Sequence, residues 1–589
     1  MNRRKLTFHT LAVLFLLLVF WYVNRASELL RGAFEDGTSM ALAIQNTGIE
    51  MLRNPFYLSI NNIDLAVASA SVLVLLITAL QRRKVFRPGE EYGSARFGTM
   101  RDIQPFIDKD PDKNIILTET EMLSMSSRMK RTKNEDYNRN KNVLIIGGAG
   151  SGKTRYFVKP NLLQMHSSYV VTDPKGTLLR ECGHAFEASG YRIKVLNLNE
   201  TDGMRQSQGY NPFNYIRSEA DILKLVDVLM ANTNGEGQRP TGDPFWQAAE
   251  KLLYTALIGY IWSCGEPQDK NIGTLLDLLG ASDAKEEDEE YKNPVDVLFM
   301  ELEREFPDHF AVRQYRKYRK AAGKTAKSIL ISCGARLAPF DIKEVRDLMS
   351  EDELELEQLG DRKTVLFVIT SDTNKTFNFI AAMMYSQMFN LLCDRALYKY
   401  GGSLPVHVRC ILDEFANIGR IPNFEEIISV IRSREISACP ILQSRAQLES
   451  VYEKKSDIIM DNCDTLLFLG SKSYKTLEEM TKMIGRQTID QYNTSKSRGS
   501  QKSDSTNYQK LGRELMTIDE LASMSRSECI CHIGGIRPFK SKKYDLTQHP
   551  RYHLTSDADR NNAYTPLWLR PHVTISAEER FEVLHISNH

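Results

Sequence analysis

This chain of 589 residues carries almost no net charge, no cysteine pairs at metal-binding spacing and no internal repeat. A formal charge of +1 gives no global attraction to nucleic acid, so any basic surface has to be local and offset elsewhere. The nine cysteines are odd in number and scattered from Cys182 to Cys531. Only Cys529 and Cys531 lie close, and C-x-C lacks the second pair that a zinc site wants; on a strand the two share a face. A disulfide-built secreted scaffold is excluded in favour of reduced, cytosolic thiols. The length is too great for a single core and suggests about three to four domains.

What is present begins with residues 142–154, NVLIIGGAGSGKT. A short apolar run, Val143 to Ile146, reads as a buried strand, and GGAGSGKT then matches G-x-x-x-x-G-K-[ST]. Gly147, Gly148, Ala149, Gly150, Ser151 and Gly152 let backbone N–H groups wrap a phosphate chain. Lys153 reaches the β- and γ-phosphates, and Thr154 offers its hydroxyl to Mg²⁺ at the start of a helix. The expected ligand is a nucleoside triphosphate with Mg²⁺.

Three further strand ends complete such a site. Residues 168–172 (SYVVT) lead into Asp173-Pro-Lys175-Gly, either a pair of contacts near the phosphates or a β-turn with proline second. Residues 406–412 (VHVRCIL) deliver Asp413, assigned to the metal, and Glu414, assigned to the attacking water. Residues 438–443 (ACPILQ) place Gln443 at a strand tip, where an amide can sense the γ-phosphate. Between them, Arg432 and Arg434 are either structural ion-pair partners or the source of an arginine finger, with Arg434 taken as the catalytic candidate.

Two apolar stretches precede this body. One begins near Leu6 and centres on residues 11–23; the second, residues 65–80, is shorter than the usual span. Arg3, Arg4 and Lys5 precede the first, and Arg82, Arg83 and Lys84 follow the second. The positive-inside rule then gives a two-span cell-membrane anchor, residues 1–84, with both termini cytoplasmic. The fold class expected is α/β: a RecA-like P-loop NTPase domain, residues 85–215 and 349–589, with an inserted all-α domain, residues 216–348, and the N-terminal two-helix membrane anchor. The insertion is inferred from helical periodicity and the near absence of strand-like runs.

Within it, residues 312–327 (VRQYRKYRKAAGKTAK) hold seven basic residues and no acid, with Tyr315 and Tyr318 interleaved. They are read either as a solvated helix or as a nucleic-acid contact. An acidic run, residues 283–290, reads as solvated loop. Residues 490–510, polar and Ser-rich, read as a mobile loop whose Lys496, Arg498 and Lys502 are available to nucleic acid.

The sequence resembles the coupling proteins of type IV secretion and conjugation systems (TraG/TraD-like, VirD-type ATPases), particularly those of Gram-positive conjugative elements. The resemblance runs through YGSARFGT, GGAGSGKT, VTDPKG, DPFWQAAEKLL, ILDEFANIG, ILQSRAQL and HIGGIRPFKSKKY. It implies a membrane-anchored motor ATPase, hexameric around a channel, that passes a relaxase–single-stranded DNA complex to the type IV secretion channel proteins. Lys153, Thr154, Asp413, Glu414 and Gln443 would line its nucleotide site, and the all-α insertion would contact substrate. The competing readings are an FtsK-like DNA translocase or secretion-assembly ATPase, and a nucleotide-gated membrane receptor without motor activity.

Overall fold

A computed structural model of the chain describes residues 3–54, 57–81, 87–125, 139–233, 244–284, 291–321, 323–371, 373–496, 504–566 and 569. Arg82, Arg83, Lys84, Arg498, Lys502 and most of the acidic run lie outside them. The chain divides into two compact units, residues 1–91 and 92–589.

The first unit has three helices, α1 (Arg3–Glu35), α2 (Met40–Arg53) and α3 (Asn62–Gln81). Val13, Leu14, Leu17 and Leu18 of α1 are exposed. Among the described residues one helix is long and apolar enough to cross a membrane, Ala12–Glu35. This corrects the expectation of two such spans. α3 forms, but its apolar part, Asn62–Thr78, falls short of the ~20 residues that a span usually needs. Beyond its apolar part, α1 is tied to α3 through Asp64. That buried carboxylate accepts from Ser27 Oγ at 2.8 Å, from Ser59 Oγ at 2.8 Å and from the Arg31 guanidinium at 3.0 Å.

The second unit is built on a nine-stranded sheet. In chain order the strands are β1 (Asn114–Ile116), β2 (Met122–Ser124), β3 (Val143–Ile146), β4 (Ser168–Asp173), β5 (Arg192–Asn197), β6 (Thr364–Ile369), β7 (Val408–Leu412), β8 (Ile436–Leu442), β9 (Thr465–Phe468), β10 (Arg486–Lys496), β11 (Asp504–Glu514), β12 (Glu528–Ile533) and β13 (Phe539–Lys542). The large sheet runs β13-β12-β9-β3-β8-β7-β4-β6-β5, while β1 with β2 and β10 with β11 form separate pairs. From β9 to β5 all neighbours are parallel; β12 and β13 close one edge antiparallel. Strands β3, β4, β6, β7, β8 and β9 are buried along their whole length, because helices cover both faces of a parallel sheet. Alternate residues serve the two layers: Leu144 and Ile146 face one core, Val143 and Ile145 the other.

β8 lies between β3 and β7, so the chain leaves the β3 neighbourhood and returns to it late. That crossover puts the carboxyl ends of β3, β8 and β7 side by side in the middle of the sheet. The described residues between β5 and β6 contain helices and no strand, with Pro244–Cys264 as the central one. Gly259 of this helix lets the Phe310–Tyr318 helix approach closely, since a Cβ there would sit 3.2 Å from that of Ala311.

The Ser-rich stretch expected to be a mobile loop is largely a two-stranded ribbon, which corrects that reading. β10 and β11 pair in register from Arg486↔Glu514 to Lys496↔Asp504. The segment lacks an apolar period, yet opposed Tyr492 and Tyr508 (ring centroids 5.3 Å apart) and Ile489↔Leu511 supply cross-strand packing. The YGSARFG segment runs from the ribbon's base to the start of β13. The Ala95 N–H donates to the Arg486 carbonyl at 2.9 Å, and the Gly98 N–H donates to the Pro538 carbonyl at 2.7 Å.

Candidate functional site

The turn after β3 is stitched to both neighbouring strands. The Gly147 N–H donates to the Leu442 carbonyl at the end of β8 (2.9 Å), and the Gly148 N–H to the Gly470 carbonyl past β9 (2.8 Å). Gly150 and Gly152 then adopt φ of +73° and +82°, which a side chain would strain. A Cβ on Gly152 would lie 2.4 Å from the Tyr156 ring, whereas Gly150 faces open space. Ser151 Oγ is buried without a hydrogen-bond partner among the described residues. A cradle of backbone N–H groups with an unspent hydroxyl fits a bound phosphate chain. Lys153 Nζ donates to the Gly147 carbonyl at 3.0 Å, at the root of the same loop. The helix that follows opens with a wide π turn, Thr154–Val158, and continues through Lys159–Leu163.

Thr154 Oγ1 donates to Asp413 Oδ2 at 3.2 Å. Asp413 is buried, and that burial pushes its carboxyl upward against the opposing pull of Lys153 and Thr154. Glu414 follows in the left-handed region, φ +50°, a conformation that non-glycine residues hold only under tertiary constraint. Its carboxylate accepts from Asn417 Nδ2 at 2.8 Å and from Gln443 Nε2 at 3.4 Å. The Gln443 N–H in turn donates to Gln447 Oε1 at 2.8 Å. Thr154, Asp413, Glu414 and Gln443 therefore form one connected set beside Lys153. The donor set fits a divalent cation and phosphates: one hydroxyl and one carboxylate for the metal, a lysine and N–H groups for the anion.

Sequence reasoning passed over Asn417, which sits three residues beyond Glu414 in DEFANIG. The signal was an amide one short helical turn from an acid.

Two expectations need correction. Asp173 is not free for phosphate contact. Its buried carboxylate accepts from the N–H groups of Leu178 (2.8 Å) and Leu179 (3.2 Å), at the start of the Thr177–Ala188 helix. Asp173-Pro-Lys-Gly is the β-turn alternative, with Gly176 at φ +69°, and Lys175 is exposed.

Arg434 stands before β8 and Gln443 after it. Seven strand residues at about 3.3 Å each separate them by roughly 23 Å, so Arg434 cannot reach the site of its own subunit. Its guanidinium lies against the thiol of Cys393.

The interleaved tyrosines of the basic stretch belong to the core. Tyr315 stacks on Phe299 (centroids 3.9 Å, 6°) and donates to Asp296, and Tyr318 is buried. Arg316 pairs with Glu303 and Arg319 with Asp296, leaving Arg313, Lys317, Lys320 and Lys324 as exposed positions.

With this geometry in hand, comparison with known proteins is informative. The family model described as Type IV secretory system Conjugative DNA transfer matches residues 102–560, and the chain belongs to that family. It is 23% identical over 416 residues to Protein VirD4 of Rhizobium radiobacter, covering 68% of this chain and 56% of that protein. It is 24% identical over 404 residues to the conjugal transfer protein TraG of Escherichia coli, covering 65% and 61%. The match thus spans less than two thirds of these relatives. In fold it is similar to the plasmid coupling protein TrwB solved with the non-hydrolysable ATP analogue ADPNP. The TM-score is 0.54 at 16% identity, covering 77% of this chain and 96% of that one. TrwB has also been solved with ADP and Mg²⁺, with a TM-score of 0.52 at 15% identity and the same coverage.

Proposed function

We propose that this chain is a membrane-anchored coupling ATPase of a conjugative type IV secretion system. The observation that carries the reading is the connected set Thr154–Asp413–Glu414–Gln443 at the mouth of the glycine cradle.

In the proposed mechanism the cradle N–H groups and Lys153 bind the triphosphate. Thr154 and Asp413 would hold Mg²⁺, which would neutralise phosphate charge there. Glu414, aimed by Asn417, accepts a proton from the attacking water. Gln443 bonds Glu414 and hands its position on to Gln447, so a change at the γ-phosphate is passed to the Arg445–Tyr452 helix. Arg434, too far along β8 to serve its own subunit, is the arginine that reaches a neighbouring subunit's site across a ring, read as a hexamer.

The RecA-like division into residues 85–215 with 349–589, and an all-α part at 216–348, is retained as part of this proposal. So is a membrane anchor: α1, the one described helix long and apolar enough to span, crosses the membrane, and α3 is tied to it at Asp64. Single-stranded DNA with its relaxase is the substrate, delivered to the secretion channel. Exposed Arg313, Lys317, Lys320 and Lys324 provide local phosphate-neutralising charge in a chain whose net charge is only +1.

The test is ATP hydrolysis by the full-length protein in detergent, with and without single-stranded DNA, beside Lys153→Ala. Hydrolysis stimulated by DNA and absent from the variant supports the motor. Hydrolysis unchanged in Lys153→Ala removes this site from the reaction.

A further inference from the structure

The motif that the nucleotide site leaves unused is KSKKY, residues 540–544, which ends β13 and runs just past it. Its Lys543 is only 7% exposed. The Lys543 N–H is held by the Ser527 carbonyl at 2.8 Å, which fixes the side chain's direction. Nζ donates to the Ser151 carbonyl inside the glycine cradle at 3.0 Å and to the Leu469 carbonyl at 2.9 Å. It also lies 5.4 Å from the centroid of the Tyr156 ring, the ring that packs against Gly152.

We propose that Lys543 is a second cationic positioning residue of the phosphate loop, supplied from the far end of the chain. This rests on the nucleotide-binding reading above and goes beyond it.

A peptide unit whose carbonyl is drawn one way turns the following N–H the other way. By engaging the Ser151 carbonyl from behind, Lys543 keeps the loop's N–H groups facing the phosphates. The charge has a second effect. A buried ammonium without a carboxylate partner is costly. None of the described carboxylates forms an ion pair with Lys543, and its two acceptors are carbonyls. A polyphosphate in the adjacent loop supplies the missing counter-charge, so part of the cost of burying Lys543 is relieved on binding. Lys153 works differently, because it bonds Gly147 at the loop's root and extends from the loop itself.

Lys543 is also where the last sheet strand meets a strap fastened to the helices under the site. Beyond it His549 bonds Gln164 at 3.1 Å, Arg551 pairs with Asp112 at 2.6 Å, and the Tyr564 N–H donates to the Arg180 carbonyl at 2.9 Å. The loop is thereby braced against the C-terminal part of the fold.

Because Lys543 acts on the loop in every nucleotide state, its loss weakens ground state and transition state together. In full-length protein in detergent, Lys543→Met is expected to weaken binding of fluorescent ATP and ADP analogues at least tenfold. KM for ATP rises in proportion, and kcat stays within about threefold. Lys153→Ala, in contrast, removes kcat. Lys543→Arg, which keeps charge and donors, recovers most of the affinity. Lys543→Gln, which keeps a donor without the charge, falls between. Thermal unfolding of the nucleotide-free variants separates this from a mere strut. A lowered Tm with unchanged affinity, or affinity within twofold of wild type in both Met and Gln variants, overturns the proposal. If the wild-type protein itself binds neither analogue, the nucleotide reading fails, and Lys543 with it.

Discussion

Thr154 and Asp413 are 259 positions apart in sequence, yet the threonine hydroxyl donates to the aspartate carboxylate at 3.2 Å. The hydroxyl opens the helix after β3 and the carboxylate ends β7, with β8 between the two strands. The pair marks where a metal would be held, and its chemistry gives the first prediction.

Asp413→Asn and Thr154→Ala are each expected to lower Mg²⁺-dependent hydrolysis by ~10²-fold or more, because both remove a ligand or its orientation. Stability moves the opposite way for Asp413. Burial raises its carboxyl pKa in the folded state, so the folded protein holds the proton more tightly than the unfolded chain. Stability is then lost as pH rises through that window. Nucleotide-free Asp413→Asn should melt above wild type at pH 8 and coincide with it in acid. A lower melting temperature at pH 8 would contradict the burial argument.

Glu414→Gln should bind nucleotide and fail to turn it over, with hydrolysis reduced ~10²–10⁴-fold, the usual range for removing a general base. Asn417→Ala should lose about tenfold, the scale of one hydrogen bond to a charged group. Stopped-flow binding beside steady-state hydrolysis separates the two effects. Equal loss of binding and turnover in Glu414→Gln would assign the glutamate to positioning instead.

Asp173→Ala tests whether this residue caps a helix or contacts phosphate. Removing a cap should cost about 1–2 kcal/mol in urea unfolding and leave nucleotide affinity nearly unchanged. Burial raises the Asp173 carboxyl from 3.8 to about 6, so wild-type stability should fall as pH rises across that interval. Asp173→Asn should flatten that slope. A tenfold loss of affinity with unchanged stability would restore a phosphate contact.

Gly98→Ala probes the YGSARFG segment where it meets β13. A Cβ at Gly98 would lie 2.4 Å from the Phe539 ring on β13. Overpacking of this kind costs about 1–3 kcal/mol. Denaturant unfolding of the 92–589 unit, followed within the full chain, should shift by that amount. No shift would mean that the segment can move away freely.

The reach of sequence reasoning follows the range of the interactions. The phosphate loop, the strand before it and the Asp413-Glu414 strand end were legible, because local rules govern them: glycine for positive φ, apolar runs for buried strands, a lysine and hydroxyl at fixed spacing. So was the long apolar α1. The β10–β11 ribbon was not, since it is stabilised by cross-strand pairs such as Tyr492 with Tyr508, which exist only once the chain turns back. Tyr315 and Tyr318 stand interleaved among seven basic residues, and only the packing of Tyr315 on Phe299 and Asp296, with Tyr318 against it, shows them to be core. Asp173 was misplaced because a residue type at a strand end does not reveal which way its side chain is used. The sequence by itself determined the loop chemistry and the strands that carry it. The tertiary structure alone decided which distant side chains meet there, because the insertion of β8 beside β3 and the return of Lys543 to Ser151 are long-range choices of the folded sheet.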